Sequence, residues 1–200
     1  SAGDVNGDGY ADLATGARGD ENGAESGEGV VRVYLGSENG PLNFGQPMVT
    51  LDSDLAGAEF GSALCCAGDV NGDGFSDLAV GAPLADVPNG NQGGRAYVFH
   101  GKPDDYANLA SFTYEPGQAT AYLGSCVRFA DVNGDGYSEL LAGAFGWDNP
   151  DFSEGKAFLW YGGLGGASGA PDWSQEGNQV LASYGQVIDS AGDVNGDGYG

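Results

Sequence analysis

The sequence is poor in basic residues, and this scarcity limits the partners that the chain can bind. It has 6 Lys and Arg against 29 Asp and Glu, for a formal net charge of −23. A charge of this sign and size repels nucleic acids and anionic membrane surfaces. No run of apolar residues reaches the roughly 18 that a membrane-spanning helix needs. We therefore expect no nucleic-acid partner and no membrane insertion.

Histidine and cysteine are also scarce, which argues against several kinds of catalytic and metal site. The single histidine, His100, lies in the apolar segment YVFHG, where a structural role is expected, and a zinc site with two histidines is excluded. The cysteines Cys65, Cys66 and Cys126 do not form a disulfide framework. Buried free thiols are expected, and a bridge from Cys126 to one of the others stays open. Without a nucleophile elbow or a phosphate-binding glycine loop, we predict that the chain is not an enzyme.

Glycine, in contrast, is abundant, and much of it falls in one acidic loop that occurs four times. The chain has 39 glycines. The loop and the segment after it read DVNGDGYADLATGAR at 4–18, DVNGDGFSDLAVGAP at 69–83, DVNGDGYSELLAGAF at 131–145 and DVNGDGYG at 193–200. The copies start at intervals of 65, 62 and 62 residues. A nearly fixed interval of this length indicates a repeat architecture.

Each repeat contains three short apolar runs and a weaker fourth one. The first follows an aromatic or leucine residue and a glycine, the second follows the acidic loop, and the third is a run such as VYLG, YVFHG or FLWYG. A fourth strand is predicted near 47–52, 110–115 and 177–182. The runs are short, rich in β-branched and aromatic residues, and bounded by turn residues, as strands are. The pattern predicts an all-β fold of β-propeller blades, each with four antiparallel strands.

We expect about three blades in this chain, as part of a larger ring or array. The predicted units are 1–59, which lacks its first strand, 60–122, 123–183, and a partial fourth unit, 184–200. Three blades are too few to close a ring, because propellers usually have four to eight. Further blades would come from the same longer chain or from other copies. The decapeptide SAGDVNGDGY occurs at both 1–10 and 190–199, which favours a segment of a tandem array.

The acidic loop places oxygen atoms at alternating positions, as a bound cation requires. In the loop at 69–77, four side chains offer oxygen atoms at positions one, three, five and nine: Asp69, Asn71, Asp73 and Asp77. The backbone carbonyl of Phe75 offers a fifth oxygen at position seven. Gly72 and Gly74 allow the backbone to curl around one point. Ca²⁺ takes six to eight oxygen ligands in flexible geometry, whereas Mg²⁺ demands a tighter octahedron. The loop therefore predicts a calcium site.

The same ligands are present in the other copies. They are Asp4, Asn6, Asp8, Tyr10 and Asp12; Asp131, Asn133, Asp135, Tyr137 and Glu139; and, in the copy without a position nine, Asp193, Asn195, Asp197 and Tyr199. We predict three full calcium sites and a partial fourth. Glu139 is one methylene longer than the aspartate in the other copies, so the third site is expected to bind differently. The simpler alternative is an Asx-rich turn without metal, because Asn-Gly and Asp-Gly are common turn sequences.

An EF-hand also begins with alternating acids, but it needs a bidentate Glu at position twelve and two flanking helices. Position twelve here is Thr15, Val80 or Ala142, in segments with strand character. The EF-hand alternative therefore fails on the closing ligand and on the flanking structure.

Phe60-Gly61 and Gly81-Ala82-Pro83, on either side of DVNGDGFSDLAV, resemble the FG-GAP repeat. In that family the repeats build the propeller of integrin α subunits and of many secreted bacterial proteins. The resemblance implies that each loop holds Ca²⁺ between two adjacent strands of a blade, through the positions given above. It covers essentially the whole chain, although Arg18 and Phe145 replace the proline in two repeats.

The resemblance implies an extracellular or cell-surface, calcium-binding propeller segment that acts as a structural, adhesion or protein-interaction module. One alternative is a carbohydrate-binding propeller, with Trp147 in the loop at 145–152 as a stacking platform. Trp160 is expected in the core, and Trp173 fits either role. Another alternative is the non-catalytic part of a larger secreted enzyme. The sequence leaves the identity of the protein or glycan partner open.

Overall fold

The computed structural model describes residues 1–21, 26–40, 46–88, 91–103 and 109–197, which form three antiparallel sheets. Sheet 1 contains β1 (Leu13–Ala17), β2 (Val30–Tyr34) and β3 (Val49–Asp52). Sheet 2 contains β4 (Ala63–Gly68), β5 (Asp77–Ala82), β6 (Arg95–Phe99) and β7 (Phe112–Tyr114). Sheet 3 contains β8 (Leu123–Ala130), β9 (Glu139–Ala144), β10 (Lys156–Trp160) and β11 (Trp173–Glu176). In every sheet the strands pair in the order in which they occur in the chain.

The sheets pack face to face, and β5 contributes side chains to the interfaces on both faces of sheet 2. All six residues of β5, DLAVGA, are buried. Leu78 and Val80 belong to a core shared with sheet 1, whereas Ala79 belongs to a core shared with sheet 3. This follows from the two-residue period of a strand, which sends successive side chains to opposite faces. Consecutive sheets stacked in this way are consistent with propeller blades, and the predicted all-β fold is confirmed.

Glycines set the distance between neighbouring sheets. A Cβ atom on Gly81 would lie 1.8 Å from the carbonyl oxygen of Gly124, and one on Gly143 would lie 1.8 Å from that of Gly185. Gly124 and Gly185 have φ angles of +85° and +82°, which other residues rarely adopt. In each pair, the glycine after the aromatic or leucine residue of one repeat thus meets the glycine in the second strand of the previous repeat. These contacts explain why the Phe-Gly and Gly-Ala markers recur together.

The weak fourth strand was predicted correctly in two repeats and incorrectly in the third. β3 and β7 lie within 47–52 and 110–115, but β11 is Trp173–Glu176, and residues 180–181 form a turn. β11 is an edge strand with mostly exposed side chains, so its sequence WSQE lacks the apolar alternation that marks a half-buried strand. The apolar pair Val180-Leu181 is exposed in the turn instead.

The three cysteines carry free thiols, so the bridge considered for Cys126 does not form. Cys126 is buried, and Cys65 and Cys66 are half-buried. Burial raises the pKa of the Cys66 thiol to about 12, which makes it a poor nucleophile at neutral pH. Across the described part of the chain, no helix has the length and apolar character needed to cross a bilayer.

Candidate metal centre

Each complete acidic loop leads into the second strand of a four-stranded repeat or its equivalent. The loop at 69–77 connects β4 to β5, and the loop at 131–139 connects β8 to β9. The loop at 4–12 precedes β1, with a bridge between Gly3 and Asp12 at its base. Position twelve of each loop lies within a strand, which confirms that none of them is an EF-hand loop.

The aspartate at position one organises the turn around its own carboxylate. Oδ1 of Asp69 accepts hydrogen bonds from the amides of Gly72 (2.6 Å) and Asp73 (3.1 Å), and its Oδ2 accepts one from Gly74 (2.9 Å). Gly72 and Gly74 have φ angles of +72° and +88°, so the curl that brings these amides inward depends on glycine. Asp4 and Asp131 make the same three bonds in their loops.

Positions three and five add a second layer of local bonds. Asn71 accepts a hydrogen bond from the amide of Asp73 (3.1 Å) and donates one from its side-chain amide to Oδ2 of Asp73 (2.8 Å). Oδ1 of Asp73 accepts a bond from the amide of Phe75 (3.0 Å). The equivalent bonds occur in the loops at 4–12 and 131–139. The side chains of positions one, three and five are therefore held within one turn by its own amides and by the bond between positions three and five.

Position nine is where the loops differ. Asp77 is fully buried, and its two carboxylate oxygens accept bonds from the amides of Val70 (2.7 Å) and Gly101 (2.9 Å). Asp12 is bonded in the same way, to Val5 (2.8 Å) and Gly36 (2.7 Å). These acids thus tie the loop to the end of the adjacent third strand of the repeat.

The pKa of Asp77 reflects this buried position. Burial raises the pKa of Asp77 to about 7, against the lowering effect of the two amides, and the nearby Asp73 and Asp69 raise it further. The pKa of Asp12 is also raised, mainly by burial. A cation beside these carboxylates would favour their charged form and remove the penalty.

Glu139, at position nine of the third loop, has one carboxylate oxygen without a hydrogen-bond partner in normal geometry. Its Oε2 accepts a bond from the amide of Val132 (2.6 Å), but its buried Oε1 has no partner in normal hydrogen-bond geometry. The Gly162 amide is still close enough to lower the pKa of Glu139, which burial raises on balance. An unpartnered carboxylate oxygen in a buried position is unfavourable unless a cation or a donor meets it.

Glu139 joins two other acids in a potential metal site. Ligand oxygens of Asp131, Asp135 and Glu139 lie within 4.8 Å of one another. Among the described residues, this is the one group of three acidic, histidine or cysteine side chains that meets this spacing. Three hard carboxylate oxygens close together fit the donor set of Ca²⁺. In the loops at 4–12 and 69–77, the position-nine acid has both oxygens on backbone amides.

The fourth copy repeats the start of the turn. Oδ1 of Asp193 accepts bonds from the amides of Gly196 (2.6 Å) and Asp197 (3.1 Å), and Asn195 donates to Oδ2 of Asp197 (2.8 Å). Tyr199, predicted to supply a carbonyl, lies outside the described residues.

Sequence reasoning missed two sets of residues that support the loops. Glycine amides at the ends of the third strands, from Gly36 and Gly101, bond to the position-nine acids. Their signal was the glycine that ends each VYLG or YVFHG run. The other set comprises Ser76 and Ser138 at position eight, which bond to the preceding loop. Their signal was a serine in two loops where the first has Ala11.

The other candidate side chains serve packing. Burial lowers the pKa of His100, and its buried Nε2 lies against Gly166. The ring of Trp147 is half-buried, 5.8 Å from Phe158 between centroids, with the ammonium of Lys156 4.5 Å from its centre. It is therefore not the free platform that sugar stacking at 145–152 would need. Trp160 is fully buried, as predicted, whereas Trp173 is 45% exposed on an edge strand.

Comparison with known proteins places these features in a family context. The FG-GAP repeat profile matches residues 1–34 and 60–99. Integrin alpha-PS5 of Drosophila melanogaster is 35% identical over 150 residues, and human integrin alpha-IIb is 36% identical over 152 residues. Mouse integrin alpha-IIb is 41% identical over 152 residues. Each alignment covers 72% of this chain but only 14% of the relative, so the chain spans about a seventh of these proteins.

Proposed function

Because this chain carries FG-GAP repeats and is distantly similar to integrin alpha subunits over 72% of its length, we propose that it is a calcium-binding segment of an extracellular β-propeller. In this proposal the units 1–59, 60–122, 123–183 and 184–200 are successive repeats, and further blades come from the rest of a longer chain or from other copies. The segment acts as a structural, adhesion or protein-interaction module without catalytic activity. Its binding partner is a protein or a glycan.

The observation that carries the proposal is the cluster of Asp131, Asp135 and Glu139, with the unpartnered Oε1 of Glu139. A bound Ca²⁺ would supply positive charge at that point and neutralise the three acids. Asn133 and the carbonyl of Tyr137 would complete the shell, by analogy with the ligand positions predicted from the sequence. We propose the equivalent sites at Asp4–Asp12 and Asp69–Asp77, and a partial one at 193–200.

Net charge supports the same proposal. Three divalent ions would remove six of the 23 net negative charges and so reduce self-repulsion in the folded state. Extracellular calcium-binding modules bind Ca²⁺ with dissociation constants of about 10⁻⁴ to 10⁻³ M. We expect the proposed sites to have affinities in this range. At cytosolic calcium levels, sites of this strength would be largely empty.

The test is thermal unfolding with and without calcium. Adding EDTA to the calcium-loaded protein is expected to lower Tm by about 10 °C or more, since each site filled at 100 times its Kd contributes about 3 kcal/mol. Restoring Ca²⁺ should restore Tm, whereas Mg²⁺ at the same concentration should do so only in part. An unchanged Tm in EDTA would contradict the proposal.

A variant at Glu139 tests whether the third loop holds one of the bound calcium ions. Glu139→Gln keeps the size of the side chain but removes its charge, and it should reduce the number of ions bound in calorimetry by one. The exposed Glu38 lies far from the loops in sequence, and Glu38→Gln makes the same chemical change outside them. An equal loss of binding in both variants would rule out a specific site at Glu139.

A further inference from the structure

The acidic loops of consecutive repeats are hydrogen-bonded to each other through a serine. The amide of Ser76 donates to the carbonyl oxygen of Asp4 (2.9 Å), and the amide of Asp4 donates to Oγ of Ser76 (3.1 Å). Ser138 makes the same reciprocal pair with Asp69, at 2.9 and 3.2 Å. Position eight of one loop thus holds the backbone of position one, a proposed ligand, in the preceding loop.

An aromatic ring of the later loop also packs against the earlier loop. A Cβ atom on Gly7 would lie 2.5 Å from the ring of Phe75, and one on Gly72 would lie 2.3 Å from the ring of Tyr137. These glycines are at position four, between proposed ligands of the earlier loop, and the rings are at position seven of the later loop. The residue at position seven of the later loop therefore contacts position four of the earlier loop directly.

A third contact comes from the far side of the later repeat. The amide of Lys102 donates to the carbonyl oxygen of Val5 (2.8 Å), and that of Gly163 donates to Val70 (2.9 Å). The segment after the third strand therefore also rests on the earlier loop.

The first loop shows that the serine hydroxyl is not needed by its own turn. Position eight there is Ala11, yet Asp4, Asp8 and Asp12 make the same local bonds as their counterparts in the other loops. The side chains of Ser76 and Ser138 instead face outward to the neighbour. Their hydroxyls are thus dispensable for the loop in which they lie.

We propose that Ser76 and Ser138 are positioning residues for the calcium site of the preceding repeat, and that neighbouring sites therefore bind Ca²⁺ with positive cooperativity. This inference rests on the proposed function. Calcium at the later loop fixes the position-seven carbonyl and, through the chain, the adjacent serine and aromatic ring. The earlier loop is then partly ordered before its own ion arrives, so its binding loses less conformational freedom. Linkage requires the coupling to be equal in both directions.

The experiment is a calcium titration of the whole 200-residue chain followed by NMR, with one reporter per site. The amides of Gly9, Gly74 and Gly136 lie at position six of the first, second and third loops and give three separate affinities in one titration. Ser76→Ala should weaken binding at the first loop about five- to tenfold, equivalent to one lost hydrogen bond, and leave the third loop unchanged. Ser138→Ala should weaken binding at the second loop and leave the first less affected.

Each serine variant is the control for the other, because the chemical change is the same and only the target loop differs. If either variant leaves the preceding site unchanged, or weakens all three sites alike, the positioning role is wrong. If calcium shifts none of the three reporters in the unmodified protein, the proposed function itself fails. These two failures cannot be confused.

A second variant tests the coupling without touching a serine. Asp135→Asn, which removes a ligand from the third loop, should also weaken binding at the second loop about threefold or more and affect the first loop least. Equal affinities at Gly74 in this variant and in the unmodified protein would show that the sites are independent.

Discussion

In the loop at 69–77 the closing acid is Asp77, whereas in the loop at 131–139 it is Glu139. The two turns are otherwise bonded alike, but Asp77 has both oxygens on backbone amides and Glu139 has one oxygen without a partner. The added methylene of Glu139 thus changes how the closing acid is held by the backbone. Asp77 holds the loop to the strand behind it with both oxygens, whereas Glu139 makes one such bond in normal geometry and lies close to two other acids.

The largest expected effect is on stability without calcium. Asp77→Ala should lower the free energy of unfolding by about 3–5 kcal/mol, since two buried amides lose their acceptor, whereas Glu139→Ala should lower it by about 1–3 kcal/mol. Urea unfolding in EDTA measures both, with Glu38→Ala as the exposed control. Equal losses for the two acids would mean that the hydrogen bonds of Asp77 do not carry the difference.

The next effect is a dependence on pH that originates in the second loop. Because the pKa of Asp77 is raised to about 7 in the folded protein, the folded state holds a proton that the unfolded state has released. The calcium-free protein should therefore lose stability as pH rises from about 4 to about 7, by about 2–3 kcal/mol from this group. Asp77→Asn should flatten the slope in urea unfolding at several pH values.

The difference between the unmodified protein and Asp77→Asn isolates Asp77 from the other titrating groups. Asp12 and Glu139 have raised pKa values and act in the same direction, while the lowered pKa of His100 acts in the opposite one. All three remain in the variant. A slope as steep in the variant as in the unmodified protein would assign the pH dependence to these groups instead.

The smallest expected effect is on the order of calcium binding. The third loop should bind about tenfold more tightly than the second, because the buried Oε1 of Glu139 lacks a well-formed hydrogen bond and gains more from a cation than the amide-bonded oxygens of Asp77 do. Glu139→Asp should remove most of this advantage. The reporters Gly136 and Gly74 measure the two affinities, and a second loop that fills first would reverse the interpretation.

Much of the fold could be predicted because its signals are local. The short apolar runs and the recurring loop predicted most of the strands of each sheet and where the acidic turns lie between them. The edge strand β11 was misplaced because exposed polar residues carry no periodic signal. Trp147 was considered as an exposed platform in one alternative, but Lys156 and Phe158, which contact its ring, lie on a strand that begins nine residues later.

The site could be predicted only at the level of the single loop. That an acid stands at position nine is visible in the sequence, but whether its oxygens are occupied depends on amides from another strand, such as that of Gly101. The role of Ser76 was hidden for the same reason, since its partner Asp4 is 72 residues away. Both features belong to contacts between distant segments, which one sequence does not reveal.

At the glycine contacts between sheets, one repeat meets the next through backbone atoms. Where Gly81 meets Gly124, no side chain intervenes that substitution could enlarge or trim. Outer strands and surface turns can therefore diverge in sequence without changing this contact between units. An array of this kind can lengthen by duplication of whole units, because each new unit brings the glycines that its contact with the next unit needs.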